Sequence, residues 1–207
     1  MFYSGWLPFS QQKVGLDWRE PSEGISINLP VSPLKQLKLT SCGEAVIAMA
    51  YHYAYPKTTL DERAIITYAE MQGYYTEKKF PFTSPANMVK ITGHYSKDIS
   101  TGLVGNPKQG LAQLISSLQN GKPVMIDILS QLDDPHSGAH FVLVTGLKIP
   151  ADNKYAVTVY YNDPITGKNR SSPWFGEGGV WSAWHNNGDP GGAGWWLSIL
   201  ASAPDLP

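Results

Sequence analysis

Residues 45–50, AVIAMA, have no polar face. A helix that is apolar on every side has to be enclosed by other elements. This segment therefore belongs at the centre of a core, in a helix that begins at Ser41 and ends before Pro56. Ser41 and Glu44 carry the S-x-x-E spacing of a capping box, and Thr59 and Glu62 repeat it. The second box predicts a helix to about Met71, stopped by Gly73. Ser84-Pro85 opens a third helix through about Thr92, and Asn106-Pro107 a fourth through about Leu118, closed by Gly121.

The pattern then changes. Residues 123–129, 140–147 and 155–161 are short runs rich in β-branched and aromatic residues, with Asp152-Asn153 as the hairpin turn between the last two. WWLSIL, beginning at Trp195, predicts a final strand, and the Gly-rich stretch 186–194 before it is a loop. Residues 1–33 show no sustained period and carry four prolines, so they read as an extended lead-in with one short strand at 25–29. Helices first and strands second predict an α+β fold with an antiparallel sheet. At 207 residues the chain fits one domain, 1–207.

The charge balance narrows the partners. Sixteen basic and seventeen acidic side chains leave a formal charge of −1, and no basic stretch is dense enough to face nucleic acid. No apolar run is long enough for a membrane span. The opening MFYSGWLPFS lacks a basic region followed by an apolar one and is not a secretory signal. Low charge with many Gly, Pro, Trp and Tyr suits an extracytoplasmic setting. The one cysteine rules out an internal disulfide framework.

That cysteine, Cys42, falls at the first position of the core helix. Unpaired N–H groups and the helix dipole there favour a thiolate. A thiolate nucleophile needs a base, a group that orients the base, and donors for the developing oxyanion. His140 opens the strand HFVLVTG and is the candidate base. Asp163, in YYNDP at the end of the next strand, can fix its tautomer. Gln36, six residues before Cys42, can donate to an oxyanion beside the Cys42 N–H.

Q-x5-C-G at a helix start, then G-x-H-F-V-x-V-T-G, then N-D-P-x-x-G, resembles the bacteriocin-processing (double-glycine leader) peptidases and their stand-alone relatives in the papain superfamily. The resemblance covers roughly residues 34–200. It implies a papain-like fold with the N-terminal helices on a C-terminal antiparallel sheet, and hydrolysis of a peptide or protein substrate without metal or cofactor. It assigns Cys42 as nucleophile, His140 as base, Asp163 as orienter and Gln36 as oxyanion donor. The family's C-G-P reads CGE here, which puts the carboxylate of Glu44 within a turn of the thiol and raises its pKa slightly. Membrane and ATPase domains of the transporter-linked members are not part of this sequence, so the double-glycine leader does not carry over as substrate. The same residues would serve acyl transfer to an amine, as in transglutaminase-like or ligating enzymes. An inactive peptide-binding module would keep the fold alone.

The remaining features read as structural. His136 and His140 stand i, i+4 after Asp133 and Asp134, but a strand entry does not put them on one helical face and no second pair completes a tetrahedron. Asn186-Asn187-Gly188-Asp189 lacks the spaced acids of a calcium loop and reads as a turn. The tryptophans of the last 34 residues read as core and loop anchors.

Overall fold

The computed structural model describes residues 24–200, so most of the lead-in lies outside the described residues. Within them the expected class holds: an α+β fold, helices packed on a largely C-terminal antiparallel sheet. The helices are α1 (Cys42–Ala54), α2 (Glu62–Met71), α3 (Pro85–Tyr95), α4 (Pro107–Gln119) and α5 (Val180–His185). The strands are β1 (Ile25–Asn28), β2 (Ile99–Leu103), β3 (Val124–Leu129), β4 (Ala139–Ile149), β5 (Thr158–Asp163), β6 (Lys168–Pro173) and β7 (Trp195–Ile199). Among the described residues no helix is long and apolar enough to cross a membrane.

The apolar segment is enclosed as its composition demands. Residues from Gly43 to Ala50 in α1 are all buried, with α2 and α3 beside them and β4 beneath. Ser84 and Asn106 cap α3 and α4, each accepting a hydrogen bond from an N–H three residues on, with Pro in the first turn. Gly73 and Gly121 follow α2 and α4 at φ 69°, the left-handed turn that glycine adopts without strain.

Two capping boxes do not form. Asp61, not Thr59, caps α2, its carboxylate accepting from Ala64 N–H. Ser41 sits at φ −95°, ψ 29°, outside the extended conformation that turns a cap side chain back onto the helix, and makes no cap bond. Three elements carry no sequence signal. β6 is polar and mostly exposed, an edge strand held by its pairing to β5 rather than by a buried face. β2 is the other edge, with glycine and hydroxyl residues. α5, at six residues, is too short to show a period.

The sheet runs β2-β7-β3-β4-β5-β6, with β1 also on β4. β4 is its long central strand. β3 pairs Ala139–Val144, β1 pairs Gly146–Ile149, and β5 joins from Leu143 onward, with a bulge between Val144 and Gly146. Gly146 is required there, because a Cβ would run into the β1 backbone at Ile27 and Asn28. The tryptophans are core and anchor residues: Trp174 and Trp184 are fully buried, and Trp184 Nε1–H donates to Trp195 O at 2.7 Å. The incomplete pairing of β5 matters most for the site, since it leaves the first residues of β4 open on one edge.

Candidate functional site

Cys42 is the first residue of α1 and is half-buried. The loop before it is clasped rather than capped. Ser41 Oγ donates to Glu62 Oε1 (2.7 Å) and accepts from Lys38 N–H (3.0 Å). Glu44 turns away from the helix end to accept from Thr83 Oγ1 at 2.7 Å. In the β3–β4 ladder Ser130 N–H bonds Gly138 O, a pattern that points the His140 N–H at β3 and the Phe141 N–H away from it. That free edge meets α1, and the Phe141 N–H faces the Cys42 sulfur, where it favours the thiolate.

The expectation of a lowered thiol pKa does not hold. Burial pushes the Cys42 thiol up to about 12, and the charges of Glu44 and Asp127 add to it. The N–H groups of Phe141 and Gly43 pull the other way and are outweighed. The helix start supplies donors, as anticipated, but loss of water around the sulfur is the larger effect.

His140 and Asp163 meet as the strand order predicted. His140 Nε2 and Asp163 Oδ1 are 2.9 Å apart, both buried. Asp163 also accepts from Ile165 N–H (3.0 Å), Thr166 Oγ1 (3.1 Å) and Arg170 Nη1 (3.2 Å). Burial disfavours its charge, but the bonds from His140, Arg170 and Thr166 outweigh burial and hold the carboxyl well below the usual carboxylate range. Asn162 is otherwise engaged, donating to Val31 O at 2.9 Å.

The pleat of β4 separates this pair from the thiol. Phe141 faces α1, where a Cβ on Gly43 would lie 3.3 Å from its ring. The neighbouring His140 side chain therefore points to the other face. It lines a cavity of about 560 Å³ with Ser130, Tyr161, Asp163, Arg170 and Glu177. Cys42 lines a different one, of about 20 Å³, with Ala139, Phe141 and Asp189. No hydrogen bond among the described residues joins Cys42 to His140. Gln36 Nε2 donates to Lys38 O at 2.7 Å, and its Oε1 is buried without a partner. One carboxamide N–H is thus taken by the loop, and the second remains.

Sequence reasoning missed an acidic pair on the Cys42 side. Asp127, opposite Phe141 in the sheet, is fully buried, and Asp189 is 6% exposed. Burial raises both carboxyls, Asp189 to about 6, and the Asp189 charge raises Asp127 further. The signal was a lone acid inside the apolar strand VMIDIL. Asp189 was read as part of a turn, which it is, with Gly192 N–H donating to Asp189 O at 2.9 Å; the loop is also tied to β3 through Asn187 Nδ2, which donates to Asp127 O at 2.8 Å.

A half-buried cysteine at a helix start, a His–Asp pair on adjacent antiparallel strands and helices laid on the sheet together describe a papain-like architecture. The chain belongs to the Peptidase_C39-like family, whose sequence profile matches residues 28–189. No curated protein matches it.

Proposed function

We propose that this chain is a thiol hydrolase acting on peptide bonds, a single papain-like domain akin to the stand-alone relatives of the bacteriocin-processing peptidases. The observation that carries this reading is the buried, ionised Asp163 bound to His140 in a chain of this family. Cys42 Sγ attacks the peptide carbonyl while His140 takes the thiol proton and passes it to the leaving amine. Water then attacks the thioester, gives a proton to His140, and the acid is released as the proton returns to Cys42. The Cys42 N–H and the free Gln36 N–H hold the oxyanion. Cys42 and His140 line separate cavities, so this reading requires a movement that brings them together. Catalytic contacts are often loose before that step.

A second reading is an inactive module that keeps the fold and binds peptides. The raised Cys42 thiol, the lack of a Cys42–His140 hydrogen bond and the engaged Gln36 Nε2 support it. Taken without the family, the geometry fits this reading better. A mixture of peptidyl vinyl sulfones separates the two. The hydrolase is expected to become labelled at Cys42, and His140→Ala to lose labelling by about 100-fold or more. Equal, slow labelling of both proteins would leave only the binding module. Adding a free amine during peptide cleavage and weighing the products distinguishes hydrolysis from acyl transfer.

A further inference from the structure

We infer that the small cavity beside Cys42 is a subsite for a primary ammonium group, a lysine side chain or a peptide's free amino terminus, with Asp189 as its counter-ion and Asp127 behind it. The idea rests on the peptidase reading for its part in substrate choice, but not for binding itself. Asp189 lines the cavity while its Oδ1 finds no hydrogen-bond donor. Asp127 is fully buried, and the groups that face its oxygens are the Asp189 carboxyl and the His140 N–H, not a cation. The two carboxyls can share one proton, which leaves one negative charge. A buried charge without a partner is costly, and no basic side chain lines this cavity. Its walls include three aromatic rings, Phe141, Phe82 and, at the exposed mouth, Phe80, beside Thr40 and Thr83, with Phe80 and Phe82 edge-to-face at 6.1 Å. Such rings favour a cation. A volume of about 20 Å³ accommodates one group the size of water. An ammonium tip fits that space and a guanidinium does not. Bound there, an ammonium would also offset the acidic charges that disfavour the Cys42 thiolate, so a substrate carrying it would help to activate the nucleophile.

Charged thiol reagents test this without requiring turnover. Reaction rates of Cys42 are measured with aminoethyl, methyl and sulfonatoethyl methanethiosulfonate, each divided by the rate of a small neutral thiol. The expected result is a cation-to-neutral ratio about 10-fold or more above that of the free thiol, with the anionic reagent disfavoured. Asp189→Asn should bring the ratio within about 2-fold of the free thiol while the protein stays folded by thermal melting. A wild-type ratio no different from the free thiol overturns the proposal. So does a ratio that survives Asp189→Asn. An acetylated peptide with an internal lysine and a lysine-free peptide with a free amino terminus are then compared as protectants. Protection by one identifies the source of the ammonium, and protection by neither overturns the assignment. Selective labelling without any peptide cleavage would keep the subsite and remove the peptidase; cleavage without selectivity would do the reverse.

Discussion

Replacing Glu44 with glutamine should change how stability depends on pH. Glu44 is fully buried, accepts from Thr83 through Oε1 and leaves Oε2 without a partner. Burial pushes its carboxyl from the ordinary 4.5 up to about 7, with the Thr83 bond pulling back. The unfolded chain therefore gives up this proton at lower pH than the folded one. Below about pH 4.5 both states hold the proton and Glu44 contributes no penalty. As pH rises toward 7 the unfolded state is increasingly favoured, and above that the full penalty applies. The span of about 2.5 on the pH scale, at ~1.4 kcal/mol for each pH unit, gives about 3 kcal/mol. Glutamine carries no proton to lose, so Glu44→Gln should gain about 3 kcal/mol relative to wild type between pH 4.5 and 8. That is a relative shift of about 6–12 °C in melting temperature for a chain of this size. A fixed offset from the new carboxamide does not affect the slope, and Asp127 and Asp189 titrate in both proteins. The assay is urea unfolding at a series of pH values. Two curves that stay parallel within about 1 kcal/mol would refute the claim that this carboxyl holds its proton near neutrality.

Asp163→Asn should destabilise the fold by about 2–4 kcal/mol in chemical denaturation at pH 7, because a carboxamide NH2 would face two of the donors that now bind the carboxylate. Since its folded pKa is depressed, this difference should shrink as pH falls below about 4, where the wild-type unfolded chain keeps the proton. Gln36→Ala should lower kcat by about 100- to 1000-fold and leave Tm within a few degrees. A drop in Tm with kcat intact would mean that the bond to Lys38 O only pins the loop.

Most of the fold was legible because its signals are local. An all-apolar helix must be central, Ser-Pro and Asn-Pro mark helix starts, and runs of β-branched residues mark buried strands. The elements without a signal were those whose stability lies elsewhere: β6 is held by backbone pairing to β5, and α5 is too short to show a period. The capping boxes failed because Ser41 and Glu44 meet better partners in tertiary space, Glu62 and Thr83. In the candidate site, strand adjacency was enough to place Asp163 beside His140. The relation of either to Cys42 depends on the strand pleat and on where β5 begins to pair, and neither is written in motif spacing. The Asp127–Asp189 pair was hidden for a similar reason. The two lie 62 positions apart and meet only through the loop that Asn187 ties to β3.

The central claim is that Cys42 performs peptide hydrolysis with the help of His140. A digest of a peptide library, followed by mass spectrometry of the products, tests it most directly, with Cys42→Ala and His140→Ala alongside. Discrete cleavage products are expected from the wild-type protein, none from Cys42→Ala and at least 100-fold slower cleavage by His140→Ala. Cleavage that persists in Cys42→Ala, or an intact library after incubation with folded wild-type protein, would contradict it.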